Sequence, residues 1–314
     1  MQTNFTSLKK IIMKLKLLLG FFLTGYLFTY SQFDTDAIHL NITHIPNSNL
    51  KNADARADLT EVDFQSFTPT IRIGKNTKLN SIINYRLYDY NFDSLNPESD
   101  NYPDNLHHFK YTLLVRQKIN ERWNAYIAPR LNIRTDFKSN FTYRDLFPAL
   151  TAMFVKDVVR NPHYKYGIGI NFNNNNGKFR VLPTAYFQYQ KDNMKISAFI
   201  PSKASITFAN EKYAYGFGYH SESNITHLNL SDDPAVNPNN ITYLRNMNVF
   251  VYPSYSRNLG SNIWVTLNAG ITILRLYEQY NSNFDDISDY YNDSFKPNAY
   301  FSIGFSYKVD DNKK

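Results

Sequence analysis

The chain has 314 residues and a formal net charge of +7, with 25 Tyr, 24 Phe and no cysteine. Without thiols there is no disulfide framework, no thiolate catalysis and no cysteine-ligated zinc. A mean hydropathy of −0.47 beside 43% hydrophobic residues means that polar and apolar side chains are interleaved along the chain rather than segregated.

The first element is a leader. Met13–Gln32, MKLKLLLGFFLTGYLFTYSQ, has Lys14 and Lys16, an apolar run from Leu17 to Tyr30, and then the small Ser31. A basic end, an apolar centre and a small residue are the layout of a secretory signal peptide. This predicts residues 1–31 as the leader and 32–314 as the mature domain. The run of about 14 residues falls short of the roughly 20 that a spanning helix needs. The leader takes four of the 34 basic residues and none of the 27 acids, leaving a net charge of +3. A nucleic-acid partner then has no electrostatic basis.

Beyond the leader the sequence alternates. Lys78–Tyr88 sets Leu79, Ile83, Tyr85 and Leu87 against Lys78, Asn80, Asn84 and Arg86. His107–Asn120 sets Phe109, Tyr111, Leu113 and Val115 against Lys110, Thr112, Arg116 and Lys118. In Arg122–Phe137, RWNAYIAPRLNIRTDF, one list is nearly all apolar and the other carries Arg122, Arg130 and Arg134. Tyr164–Phe172, Phe179–Gln190, Met247–Tyr255, Ile263–Ile273 and Ala299–Val309 repeat the pattern. Period two over such lengths predicts half-buried strands. A helix over 122–137 would put Arg130 and Arg134 on one stripe with Ile127, which is poor amphipathicity.

Such strands suit a soluble sandwich with its apolar faces inward or a membrane barrel with them outward. Soluble strands average about 5–6 residues, whereas these run longer, near the ~9–11 of a tilted membrane strand. Tight links at 74–76, 120–121, 191–193, 210–212 and 258–261 contrast with polar loops at 46–59, 89–105, 230–240 and 281–296. Short turns on one rim and long loops on the other predict an outer-membrane barrel. Trp123, Tyr111, Phe137, Tyr164, Tyr189, Phe301 and Tyr307 then suit the headgroup boundary.

Thirteen candidate segments emerge, and a single-chain barrel needs an even number. The conflict lies between residues 138 and 209. Either FPALTAMFVKDVV (147–159) belongs to an external loop, giving twelve strands, or 194–208 splits at IPSK, giving fourteen. The reading adopted is all-β, a transmembrane antiparallel up-and-down β-barrel of about twelve strands, with fourteen as the alternative. Pro129, Pro183 and Pro253 count against a regular ladder, since proline forfeits a ladder bond.

Three stretches carry a resemblance: the leader end FTYSQ, the central VLPTAYFQYQKDNMKISAFIPSKASITF (181–208) and the last strand AYFSIGFSYKV (299–309). Through them the chain resembles an uncharacterised Bacteroidota outer-membrane β-barrel family. The last strand is similar to the signal read by the barrel-insertion machinery, except that DDNKK follows where a terminal aromatic is usual. The resemblance implies compartment and architecture, with the lipid bilayer and the insertion machinery as partners. It implies no activity.

No motif announces catalysis, a metal or a cofactor, and none of the three is expected. The seven histidines form no H-E-x-x-H, and no G-x-S-x-G or glycine-rich phosphate loop occurs. His107 and His108 are adjacent on a strand, so they face opposite sides. His220 and Glu222 share a face, with Ser221 and Ser223 alternating between them, the nearest approach to a base with its orienter. If the polar lists face the lumen, Arg86, Lys110, Arg116, Arg130 and Arg134 line it, while acids gather in the loops; the alternative is that these cations bridge to inward acids such as Asp136 or Glu222 and fill the barrel. A cationic wall favours anions. The function expected is a passive outer-membrane channel for small solutes, anions favoured. The alternatives are a closed structural or binding barrel and a membrane-embedded hydrolase.

Overall fold

The computed structural model describes residues 36–308 apart from 51–54, 95–102, 159–160, 176–177, 231–236, 238–239, 286 and 288–292. The predicted leader lies outside the described residues. The strands begin with β1 (Asp36–Asn49), β2 (Ala55–Phe67), β3 (Ile71–Ile73), β4 (Thr77–Ser94), β5 (Asn105–Lys118) and β6 (Trp123–Thr135). There follow β7 (Leu146–Asp157), β8 (Tyr164–Asn173), β9 (Arg180–Lys191), β10 (Met194–Ile200) and β11 (Lys203–Ala209). The last are β12 (Tyr213–His227), β13 (Tyr243–Gly260), β14 (Ile263–Tyr280), β15 (Asp293–Phe295) and β16 (Asn298–Lys308). Long strands pair antiparallel in chain order, and β16 pairs with β1 to close the ring. The three-residue β3 and β15 lie against β4 and β14. The wall is therefore an all-β closed barrel of fourteen strands.

Twelve strands is corrected to fourteen. Residues 147–159 are not an external loop: β7 pairs with β6 and with β8. The 194–208 segment divides at Pro201–Ser202 into β10 and β11, in register from Met194 opposite Phe208 to Phe199 opposite Lys203. A two-residue link part-way up the wall, at the hairpin end away from the short turns, is what concealed the division.

The faces follow the alternation. Ile168, Ile170, Phe217, Ile271, Phe301 and Phe305 are all exposed on the outside, and apolar side chains left outward over a closed ring fit hydrocarbon. Near the short-turn rim Trp123, Tyr164, Tyr189, Tyr213 and Tyr307 point outward as a girdle. The Lys156 ammonium lies 5.4 Å over the Trp123 ring and 5.8 Å over the Tyr166 ring, a cation–π contact with both. Two of the short turns are built alike. In NERW the Asn120 side-chain oxygen accepts from the N–H groups of Arg122 and Trp123 at 2.9 Å each. In NEKY Asn210 does the same for Lys212 and Tyr213 at 2.9 and 2.8 Å.

The three prolines sit where a ladder is open on one side. Between Thr112–Arg130 and Val115–Ile127 no pair forms opposite Pro129. Pro183 lies beyond the last β9–β10 pair, Ala185 with Ile200. Pro253 falls in a gap of the β13–β14 ladder. At such places the missing N–H costs no ladder bond.

The wall is uneven. β10 and β11 have seven residues each, whereas β13 and β14 have eighteen. Above the β7–β11 bay, β12 leans across and meets β6 in a parallel bridge, His227 with Thr135. Toward the long-loop rim the ring is thus closed by nine strands, bypassing five. Eight-strand barrels are filled by their own side chains, and the nine-strand tier is filled too. Ile45, Leu59, Tyr88, Leu106, Leu244, Phe250, Tyr277 and Tyr300 pack there as one buried cluster. On the other side of β12, Ile225 packs against Phe147 of β7. The wide fourteen-strand tier lies below.

Candidate functional site: a cationic vestibule

The lower tier encloses a cavity of about 1490 Å³, reaching from the short turns up to Lys110 and Thr112. Eight Lys or Arg residues line it against two acids, Asp192 and Glu211. Three of the cations expected from the sequence are among them: Lys110 on β5, Arg116 on β5 and Arg130 on β6. One Nη of Arg130 donates to Thr151 and Asn171 at 2.9 and 2.6 Å, while its buried Nε has no partner. Arg116 donates to Asn124 at 3.2 Å and lies 5.8 Å over the Tyr126 ring. Sequence reasoning did not single out the vestibule's other cations, among them Lys165, Lys195 and Lys203. The signal was available, because each falls on the polar list of its strand.

Arg86 and Arg134 are not in the cavity; they belong to the layer that roofs it. Arg86 is buried between β2 and the crossing β12. Its guanidinium meets Glu61 at 3.1 Å, Asp63 at 2.6 Å and Glu222. Tyr88 donates to Glu222 at 3.3 Å and accepts from Asn224 at 3.1 Å. Glu222 is the inward acid expected as a bridge to a wall cation, and Glu61 and Asp63 join it. They neutralise Arg86, so it cannot act as a free wall charge. Arg134 donates to Asn175 at 2.9 Å and lies 5.4 Å over Phe147. Higher in the roof, Arg275 donates to Ser48 at 2.7 Å and lies 4.2 Å over Phe295. Both are buried among neutral partners, a costly arrangement for a cation.

Beside the roof, His220 faces the lumen opposite Lys203 in the β11–β12 register and stands 3.6 Å from Glu222. Ser221 and Ser223 point the other way, and the Ser223 hydroxyl is held by Asn175 and Arg245. No nucleophile therefore completes the His220–Glu222 pair from these serines. His107 and His108 do face opposite sides: His107 bonds Tyr85 outside and His108 bonds Thr226 inside. Among the described residues no cluster of His, Asp and Glu could hold a metal ion.

A family model described as a domain of unknown function (DUF6268) matches residues 27–308. The chain belongs to the DUF6268 family. No curated protein matches this DUF6268 chain. It is similar to the solved COG4313 outer membrane channel from Pseudomonas putida F1, with 8% identity, 89% of this chain and 98% of that chain covered, and a TM-score of 0.42. LpxR from Salmonella typhimurium is similar over 86% of this chain and 100% of that one, at 7% identity and a TM-score of 0.30. The translocator domain of the autotransporter NalP from Neisseria meningitidis is similar over 97% and 98%, at 8% identity and a TM-score of 0.30. No residue role passes from these proteins to the DUF6268 barrel.

Proposed function

We propose that this barrel resides in the outer membrane of a Gram-negative cell, delivered by the leader at residues 1–31 and placed by the barrel-insertion machinery, and that it handles small anionic solutes. The observation that carries the reading is the vestibule: eight cations against two acids around about 1490 Å³ of lumen. Such a lining concentrates anions and repels cations, as rings of Lys or Arg do in anion pores. Lys110, Arg116 and Arg130 are its selective wall. Arg86 and Arg134 act as roof. The channel is closed at the long-loop end in the state described, because the nine-strand tier is packed.

The test is planar-bilayer current under a salt gradient. A preference for chloride over potassium is expected, and reversal of Arg116 and Arg130 to Glu should swing the reversal potential toward cations. Equal permeability in both proteins would remove the anion reading. The packed upper tier favours one second reading, a binding barrel without transport. An inserted barrel that passes no current at any voltage, yet takes up inorganic phosphate, would establish it.

A further inference from the structure

The wall beside the vestibule is lowest at β10 and β11. The β9–β10 ladder ends at Ala185 with Ile200, yet β9 runs on to Arg180. The β11–β12 ladder ends at Lys203 with His220, yet β12 runs on to His227. Among the described residues no strand joins these two free edges above the Pro201–Ser202 turn. Seven residues at about 3.3 Å each, tilted by about 45°, reach only ~16 Å, against an apolar band of ~25 Å. The opening also lies within the apolar belt. Val181, four residues further along β9 than Ala185, is 59% exposed on the outer face, and Phe179 and Phe172 beside it are 51% and 40% exposed. Those two rings stack at 4.9 Å. A bare sheet edge facing hydrocarbon is tolerated only where something covers it or where it lines a cavity.

Inside the opening the chemistry changes at once. Lys195, Lys203 and Phe199 line the vestibule at the hairpin. Thr184, just above the last β9–β10 pair and on the lumen parity of β9, is buried and its hydroxyl has no partner. A partnerless buried hydroxyl at the sill of an opening is a site for an incoming polar group.

We propose that the gap between β9 and β12 is a lateral window joining the vestibule to the hydrocarbon layer, and that it takes a single-chain amphiphile with an anionic head. The head sits on Lys203 and Lys195 with Thr184 donating to it. The chain leaves past Phe199 and lies along the exposed belt of β8 and β9. This names the ligand class of the vestibule and rests on the anion reading given above.

The experiment measures binding of dodecanoate to the folded full chain in lipid nanodiscs, corrected with empty discs, beside acetate, inorganic phosphate and dodecanol. Dodecanoate is expected to bind saturably and at least tenfold more tightly than acetate, with dodecanol failing to displace it. The double variant K195Q/K203Q should weaken dodecanoate at least tenfold. Thr184→Trp, which fills the window and leaves the charges in place, should do the same, so one poorly folding variant does not decide the outcome. Dodecanoate binding no better than acetate, or untouched by both variants, would overturn the window while phosphate binding left the anion vestibule standing. Failure of dodecanoate and phosphate alike would remove both.

Discussion

Arg86 shows how far a single side chain departs from its sequence context. Its strand reads as a lumen-facing cation, and it does face the lumen, but Glu61, Asp63 and Glu222 surround it. Removing one partner of a buried ionic group costs far more than the pair contributes, about 3–5 kcal/mol, because the remaining charges stay desolvated. Arg86→Ala should therefore lower unfolding stability by about that amount, measured by urea titration of the barrel in lipid. The loss should be partly recovered by Glu222→Gln in the same chain. On the outer face the sign of a substitution depends on lipid instead. Ile168 stands exposed at the middle of β8, where an arginine costs about 2–4 kcal/mol near the bilayer midplane. Ile168→Arg should show that loss in the same titration. The outward residue was legible from period two alone. That Glu222 faces inward was legible too, but not that Arg86 is its partner, since Glu222 lies 136 residues away and meets it only because β12 leans across the lumen.

At the scale of elements, β7 and the β10–β11 hairpin were the hard cases. FPALTAMFVKDVV hides its period because both faces are apolar: Pro148, Leu150 and Phe154 face outward while Phe147, Ala149 and Val155 face inward. The inward set is apolar because Phe147 packs on Ile225 of the crossing β12, a contact that exists only once the upper tier has formed. The hairpin hid for the opposite reason, having too little turn to notice. What pins the crossing strand is a buried pair: His227 Nδ1 and Asp145 Oδ1 lie 2.9 Å apart, with Asp145 also accepting from the Thr142 N–H at 2.6 Å. His227→Ala leaves that carboxylate short of a partner, worth roughly 1–3 kcal/mol. The variant should unfold at lower urea and, with β12 freed from β6, open more often than the parent in planar bilayers.

For the whole molecule, the alternation determined the architecture and the compartment's solvent, while the vertical division into two tiers was beyond it. Nothing in a strand's own residues says at what height its neighbour stops. Strand lengths had to be compared around the ring before a packed nine-strand tier could be told from an open fourteen-strand one. The same comparison moves two of the five expected wall cations, Arg86 and Arg134, into the roof. Hence the charge swing expected of Arg116 and Arg130 should be small for Arg134→Gln, whose main effect should be on how often current appears rather than on which ion carries it. Recordings that separate open probability from reversal potential check this.

The unequal strands also act on the surrounding bilayer. Lipid beside β10 and β11 meets a wall roughly 9 Å lower than the apolar band it must match elsewhere, and mismatch costs fractions of a kcal/mol per ångström. The leaflet must thin on one flank of the protein and not on the other. Two barrels that turn their low flanks toward each other share a single thinned patch, so thicker membranes should drive neighbouring copies together in that orientation. A short hairpin thereby gives a round object a preferred side.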